Sequence, residues 1–203
     1  LTAGPNIIVV PANSQFRSVG DIIAAAQAQP GKLSFASSGL ANATHMAGEL
    51  FKYMARVNIL HVPYKGSPAA MVATSAGETE LAFAGLAGSM PLIRSGRLRA
   101  IAVTGVKRWP TLPDVPTVAE AGVPGYESSN WYAMFAPLKL PPKLVNLIYT
   151  EISTIAKSAE MRSRLLPDGQ EPLGTTPKEL AAHLANEITK WIELGKAAGL
   201  TPN

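Results

Sequence analysis

The chain has 203 residues, 47% hydrophobic and 16% charged, enough apolar material for one large domain or two small lobes and too much for a disordered tail. It has no cysteine, which excludes disulfide scaffolds, cysteine-ligated zinc, iron–sulfur clusters and thiol nucleophiles. The net charge of +4 lies entirely in the first half, with 8 Lys or Arg against 4 Asp or Glu in residues 1–100 and 10 against 10 beyond; that bias suits a small anionic ligand and falls far short of a nucleic-acid-binding stripe.

In chain order, Ile7-Ile8-Val9-Val10 reads as a strand, and Ser18-x-x-Asp21 opens a helix that Pro30-Gly31 stops. Leu33–Ala36 is the next strand, followed by a Ser/Gly/Asn loop and a helix from Asn42 to Ala55. Ile59–Val62 is a third strand, and Pro68 sits at the first position of the helix after it. Leu81–Ala84 and Leu98–Thr104 are strands flanking a short helix expected at Pro91–Ser95. The cluster Arg94, Arg97 and Arg99 reads as the solvated end of that helix. Strands alternating with single helices imply βαβ crossovers and a mostly parallel sheet.

The second half differs. A Pro-rich connector, Trp109–Pro116, leads to a capping box at Thr117-Val118-Ala119-Glu120 that predicts a short helix. An aromatic strand is expected at Asn130–Phe135, a long helix from Pro141-Pro142 to Lys157, and a last amphipathic helix from Thr176 to Ala198. There are too few strands here to close a sheet. The expected organisation is therefore a complete α/β lobe in residues 1–103 and part of a second lobe in 104–203, with the crossing near Val103–Val106. Charge-free windows at Leu1–Phe16 and Leu33–Gly48 are broken by Pro, Gly, Ser, Asn and Thr, so neither reads as a bilayer span. The opening Leu-Thr-Ala-Gly-Pro-Asn lacks an initiator Met and a basic leader, which is expected of a chain that begins inside a longer gene product.

The richest stretch for chemistry is Ser37-Ser38-Gly39-Leu40-Ala41-Asn42-Ala43-Thr44-His45, between a strand end and a helix start. Open α/β sheets bind ligands at that edge, and the first amides of a helix form an anion site. Hydroxyls of Ser37, Ser38 and Thr44 and the amide of Asn42 add donors, and Gly39 admits close backbone approach. An ordinary capped helix start is the competing reading. A nucleophile elbow on Ser38 would need small flanking residues, and Leu40 fits it poorly. His45, His61 and His183 show no metal-ligand spacing, and neither a Gly-x-Gly-x-x-Gly nor a Walker loop is present, so no metal, cofactor or catalytic set is expected. His61 reads as a sheet-end histidine and His183 as a surface one. Tyr64-Lys65-Gly66-Ser67 is a second helix start on the same edge, and Trp131 is a candidate cleft wall.

Several strings along the chain carry a resemblance. They are Ser37-Ser38-Gly39 with His45 and Ala47–Phe51, His61–Gly66, Gly96–Thr104, Leu112–Gly122, Pro124–Glu127, and Trp131 with Ala136-Pro137. In this order they resemble the tripartite tricarboxylate transporter substrate-binding proteins, the Bug family of periplasmic solute receptors. The resemblance implies a periplasmic-binding-protein-like (type II) Venus-flytrap of α/β lobes and a non-enzymatic, periplasmic receptor. Such a receptor holds a small organic acid (a mono- or dicarboxylate) in its cleft and delivers it to membrane transporter subunits. Ser37, Ser38, Gly39, Asn42, Thr44 and His45 carry over as ligand contacts, with Ala84, Gly85 and Trp131 completing the expected set. Leu40-Ala41-Asn42 departs from the commoner x-Gly-Ser. Relatives often end the strand at Leu81–Gly85 in an acidic residue; Ala-Phe-Ala-Gly-Leu here favours a simple organic acid over an amino acid. They also carry a further stretch before this start, so a homodimer is one way to cover the apolar surface left without partners. Two other readings stay open: an effector-sensing domain of a transcription regulator, and a hydrolase-like enzyme using Ser38.

Overall fold

Ile7–Val10 lies inside a ten-residue strand, β1 (Thr2–Pro11), whose apolar run is fully buried. The structure is a computed structural model and describes residues 2–197. The chain divides into two compact units, one of Pro5–Asn130, the other of the first residues up to Gly4 with Trp131 onward.

The larger unit is a five-stranded sheet with helices between its strands. Its elements are β1, α1 (Val19–Ala28), β2 (Ser34–Ser37), α2 (Ala43–Ala55), β3 (Leu60–Pro63), α3 (Ser67–Ala76), β4 (Leu81–Gly85), α4 (Leu86–Arg94) and β5 (Leu98–Val103). The strand order is β3-β2-β4-β1-β5. β2 runs parallel to β3 and β4, as alternating strands and helices predict. β1 departs from that pattern: it is antiparallel to both β4 and β5, pairing Ile7 with Ala84 and with Val103. It enters the sheet between β4 and β5, neither of which follows it directly in the chain, so the crossover rule does not set its direction relative to them.

Local signals account for most helix starts. Ser18 and Asp21 form a reciprocal capping box, and Asn42 caps α2 with its side chain. α4 begins at Leu86, earlier than expected, and carries Pro91 inside it. The expected Arg cluster is dispersed: Arg94 ends α4, whereas Arg99 lies on β5 and donates to the carbonyls of Ser14 and Phe16. Its guanidinium fastens the loop after β1, a role its position beside Gly96 does not reveal.

The core is aromatic on one face. Phe83 packs edge-on against Phe35 at 5.5 Å and at 5.8 Å from Phe51, and Phe51 meets Tyr126 at 6.3 Å. Each such ring contributes roughly 1.5–3 kcal/mol by leaving water. Tyr126 also donates its hydroxyl to the Ala47 carbonyl at 2.8 Å, fastening residues 104–130 to α2. That segment is further held by a parallel bridge from Val103 to Thr117 and by burial of Trp109, Val118 and Val123. These contacts explain why the division falls at Asn130 and not near Val103. The capping box of Thr117 and Glu120 forms both of its bonds, yet only a turn results, because Gly122 at φ 118° and Pro124 follow at once.

The smaller unit holds α5 (Pro142–Ala156), α6 (Ala159–Leu165), β7 (Glu171–Pro172) and α7 (Pro177–Ala197), and β7 pairs with Thr2 and Ala3 of β1. β6 (Ser129–Tyr132), shorter than the expected Asn130–Phe135 strand, straddles the passage between units. Thr176 and Glu179 cap α7 reciprocally, and the expected helix end at Ala198 lies outside the described residues. Among the described residues of this unit, Leu194 and Pro172 are the buried aliphatic side chains, and α5 buries none.

Candidate functional site

Because β2, β3 and β4 are parallel, their ends at Ser37, Pro63 and Gly85 lie on one edge of the sheet, and each feeds a helix. The first amides of a helix have no partner within it and carry a positive dipole end. α2 spends its side-chain cap on its own backbone, through Asn42. α3, capped by Gly66, and α4, capped by Gly85, have no side-chain cap bond. Ala84 and Gly85 thus stand at an uncapped helix start, and the exposed Lys65 lies in the loop before α3.

The loop after β2 is a closed ring of hydrogen bonds. Asn42 Oδ1 accepts from the Thr44 and His45 amides, each at 3.1 Å, and from the Thr44 hydroxyl at 2.8 Å. Its Nδ2 donates to Ser38 Oγ at 2.8 Å, and the Ser38 amide donates to Thr44 Oγ1 at 2.9 Å. The two hydroxyls of Ser38 and Thr44 lie 2.9 Å apart. Since the Thr44 proton is committed to Asn42, Ser38 is the donor in that pair. Its proton is the one a bound oxygen can redirect.

Gly39 has φ 135°, and a β-carbon there would lie 3.4 Å from Asn42 Nδ2 and 3.5 Å from the Tyr64 carbonyl. Those are ordinary contacts, so it is the torsion that calls for glycine. Ala41 is left-handed without being glycine, at φ 56°, and its amide donates to His45 Nδ1 at 2.9 Å. The loop is also tied to its neighbour, for the amides of Tyr64 and Gly66 donate to the carbonyls of Ser37 and Ser38.

Beneath the loop lie two imidazoles. His45 is buried, and because Nδ1 accepts from Ala41 its proton resides on Nε2, 3.7 Å from Glu49 Oε1. Its ring stacks on His61 with centroids 3.8 Å apart and planes inclined by 15°. His61 stacks in turn on Phe35 and lies 2.6 Å from Ser37 Oγ through Nε2. Burial pushes His61 down to about 4, helped by His45 and Lys52 and opposed by Glu49, so it is neutral near pH 7. Burial alone would raise Glu49, but the neighbouring His45 imidazole and the Lys52 ammonium outweigh it and hold the carboxylate below its usual range.

The structure thus brings Ser37, Ser38, Gly39, Asn42, Thr44 and His45 into one bonded cluster, with Ala84 and Gly85 on the same sheet edge. Trp131 belongs to the other unit, where its indole donates to Glu187 at 3.1 Å and meets His183 edge-on. The serine nearest an imidazole is Ser37, fully buried; Ser38 bonds to Asn42 and Thr44 and to no histidine. Among the described residues no three His, Asp or Glu side chains gather to hold a metal, and no helix is long and apolar enough to cross a membrane.

The sequence profile described as tripartite tricarboxylate transporter family receptor matches residues 1–200. The chain belongs to that family. It is 38% identical over 191 residues to the UPF0065 protein in the tcbD-tcbE intergenic region of Pseudomonas sp. (strain P51), covering 94% of this chain and 57% of that protein. It is 31% identical to protein BugT of Bordetella pertussis, over 96% of this chain and 60% of BugT. The chain therefore spans less than two thirds of the length of these relatives. Among solved structures, R. palustris Rpa4515 with adipate superimposes with a TM-score of 0.90 at 36% identity, covering 100% of this chain and 68% of that one. The periplasmic binding protein BugD gives 0.85 at 28% identity, with the same coverage. This receptor family has the type II periplasmic-binding-protein fold, and its members are solute receptors and not enzymes.

Two features beside the candidate site escape a reading of motifs. His61 joins His45 only because β2 and β3 pair Phe35 with His61, which a local pattern cannot show. Asn6 sits fully buried on β1 opposite Gly85, and its signal is a lone amide in the apolar run Pro5-Asn6-Ile7-Ile8.

Proposed function

We propose that the protein captures a small organic carboxylate in the periplasm and delivers it to the membrane subunits of a tripartite tricarboxylate-type transporter. The observation that carries this reading is the convergence of three helix starts on one sheet edge, two of them without a side-chain cap. Amides at such ends stabilise an anion without needing a cationic side chain. Ser38 adds a hydroxyl whose proton can turn to the ligand, and Asn42 positions that hydroxyl. The adipate of the R. palustris relative supports a dicarboxylate as the first ligand to try. The absence of an acidic side chain from Leu81–Leu86 supports a plain acid over an amino acid.

The test is calorimetric titration of the 203-residue chain with adipate, succinate, hexanoate and glutamate. Adipate or another plain acid is expected to bind, and Ser38→Ala is expected to weaken it by about tenfold, the equivalent of one hydrogen bond to a charged group. Failure of every acid to bind would overturn the reading. Unchanged affinity in Ser38→Ala would remove the serine from the site.

A further inference from the structure

Asn6 is buried in the middle of β1, and neither Nδ2 nor Oδ1 has a hydrogen-bond partner in the protein. Ser128 is equally buried, and its hydroxyl also lacks one. The two residues adjoin each other: Thr104 Oγ1 lies 3.1 Å from the Asn6 carbonyl and 2.6 Å from the Ser128 carbonyl. Buried amides and hydroxyls are nearly always paired, and an exception points to a partner from outside the chain.

The register says where the Asn6 side chain is directed. Asn6 stands opposite Gly85 across an antiparallel pair, so its side chain lies on the face where a Gly85 side chain would be. A β-carbon built on Gly85 would meet nothing within 4 Å. There is accordingly free space between Asn6 and the start of α4, a nine-residue helix with no side-chain cap bond. One short stretch thus combines open room, helix-start amides and an unpaired carboxamide donor.

Resting on the carboxylate-receptor reading above, we propose that Asn6 is a ligand contact: its Nδ2 donates to a carboxylate of the bound acid, held against the start of α4, with Ser128 as a flanking donor. Asn6 would then fix the position of one carboxylate along the sheet edge, while the Ser38 loop takes part of the remaining polar surface of the ligand. A neutral donor of this kind suits a carboxylate and gives no attraction to an ammonium group, in keeping with a plain acid.

The experiment is titration with adipate of the full chain and of Asn6→Ala, Asn6→Asp and Ser128→Ala, beside the side-chain amide resonances of the unsubstituted protein. Asn6→Ala is expected to weaken adipate about tenfold and Ser128→Ala less. Asn6→Asp, nearly isosteric but anionic, is expected to weaken it at least a hundredfold. The Asn6 side-chain 15N–1H pair is expected to shift as adipate saturates the unsubstituted chain. Wild-type affinity in both Asn6 variants would overturn the inference and leave the receptor reading intact. Should the variants not fold, an unmoved Asn6 amide pair under saturating adipate would overturn it equally. If the unsubstituted chain binds none of the acids, the receptor reading falls and this inference falls with it.

Discussion

The imidazole of His45 lies 3.8 Å from that of His61, with the two planes within 15° of parallel. Protonating His61 there would bury a charge against a second ring and near the Lys52 ammonium, which is why its pKa falls to about 4. The unfolded chain protonates the same residue near 6.5, so between those values it binds more protons than the native protein. Stability from this source is complete above pH 6.5 and is lost as pH falls towards 4. Glu49 acts lower still, for its depressed carboxylate gives up its contribution only when it is itself protonated. Urea midpoints at pH 7, 5.5 and 4.5 should decline in that order, and His61→Gln should flatten the decline above pH 4.5. An equal slope in the variant would mean that another group titrates.

Ala41 occupies a left-handed backbone region at φ 56°. An L-residue with a β-carbon pays about 1–2 kcal/mol for that conformation, and glycine is spared it. Ala41→Gly should therefore stabilise the protein by about 0.5–1 kcal/mol after the extra entropy of the unfolded glycine is subtracted. The amide bond to His45 is kept. A denaturant titration showing destabilisation would mean that the alanine methyl makes contacts worth more than the torsional cost.

Gly48 faces Phe35 across the helix–sheet interface, and a β-carbon there would lie 2.3 Å from a carbon of the ring. Alanine is worth about 1 kcal/mol more than glycine to a helix, but forced movement of a packed ring costs about 1–3 kcal/mol or more. Gly48→Ala should accordingly be a net loss, and the displaced Phe35 should disturb the stacked His61. The imidazole resonances of His61 would report the second effect, and the thermal midpoint the first.

Asn42 supplies the acceptor for two amides and a hydroxyl at the start of α2. Asn42→Ala should cost about 1–2 kcal/mol, as helix caps do. Asn42→Asp keeps the acceptors and loses the donor to Ser38. It should retain most of the stability while weakening adipate by charge repulsion, so stability and affinity separate in this pair of variants.

Unfolding should occur in two steps. Residues 5–130 carry nearly the whole buried apolar core, whereas the described part of 131–203 buries only Leu194 and Pro172 among its apolar side chains. Leu147, Ile148, Ile152 and Ile155 lie exposed along α5. Hydrogen exchange should show early, non-cooperative exchange in α5, α6 and α7, with strong protection in β1 and β4. Uniform protection across both units would contradict this.

Much of the fold was legible because helix starts are written locally. Ser18 with Asp21, Asn42 and Thr176 each act within one turn of their own position and lie where the pattern puts them, while Pro68 stands one place later than expected, second in α3 after Ser67. The start of α4 is not legible, because Gly85 carries no cap signal and Pro91 suggests a start when it is an interior residue. The direction of β1 was not legible, since it depends on pairing with Gly85 and Val103 far along the chain. The candidate site divides in the same way. Ser38, Asn42 and Thr44 interact over six residues or fewer, whereas His45 meets His61, and Asn6 meets Gly85, only through the sheet.

β1 precedes β2 and β3 in the chain, yet it ends between β4 and β5, which are synthesised only after both of them. Its run Ile7-Ile8-Val9-Val10 has no partner until β4 has been synthesised, and keeps one edge unpaired until Leu98–Val103 follows. Pairings this distant in sequence form slowly and leave a strand edge open to wrong partners meanwhile. A nascent chain stalled before β5 should consequently bind general chaperones through these residues. For the same reason a chain crossing a membrane unfolded would have no complete five-stranded sheet to undo until its translation had passed residue 103.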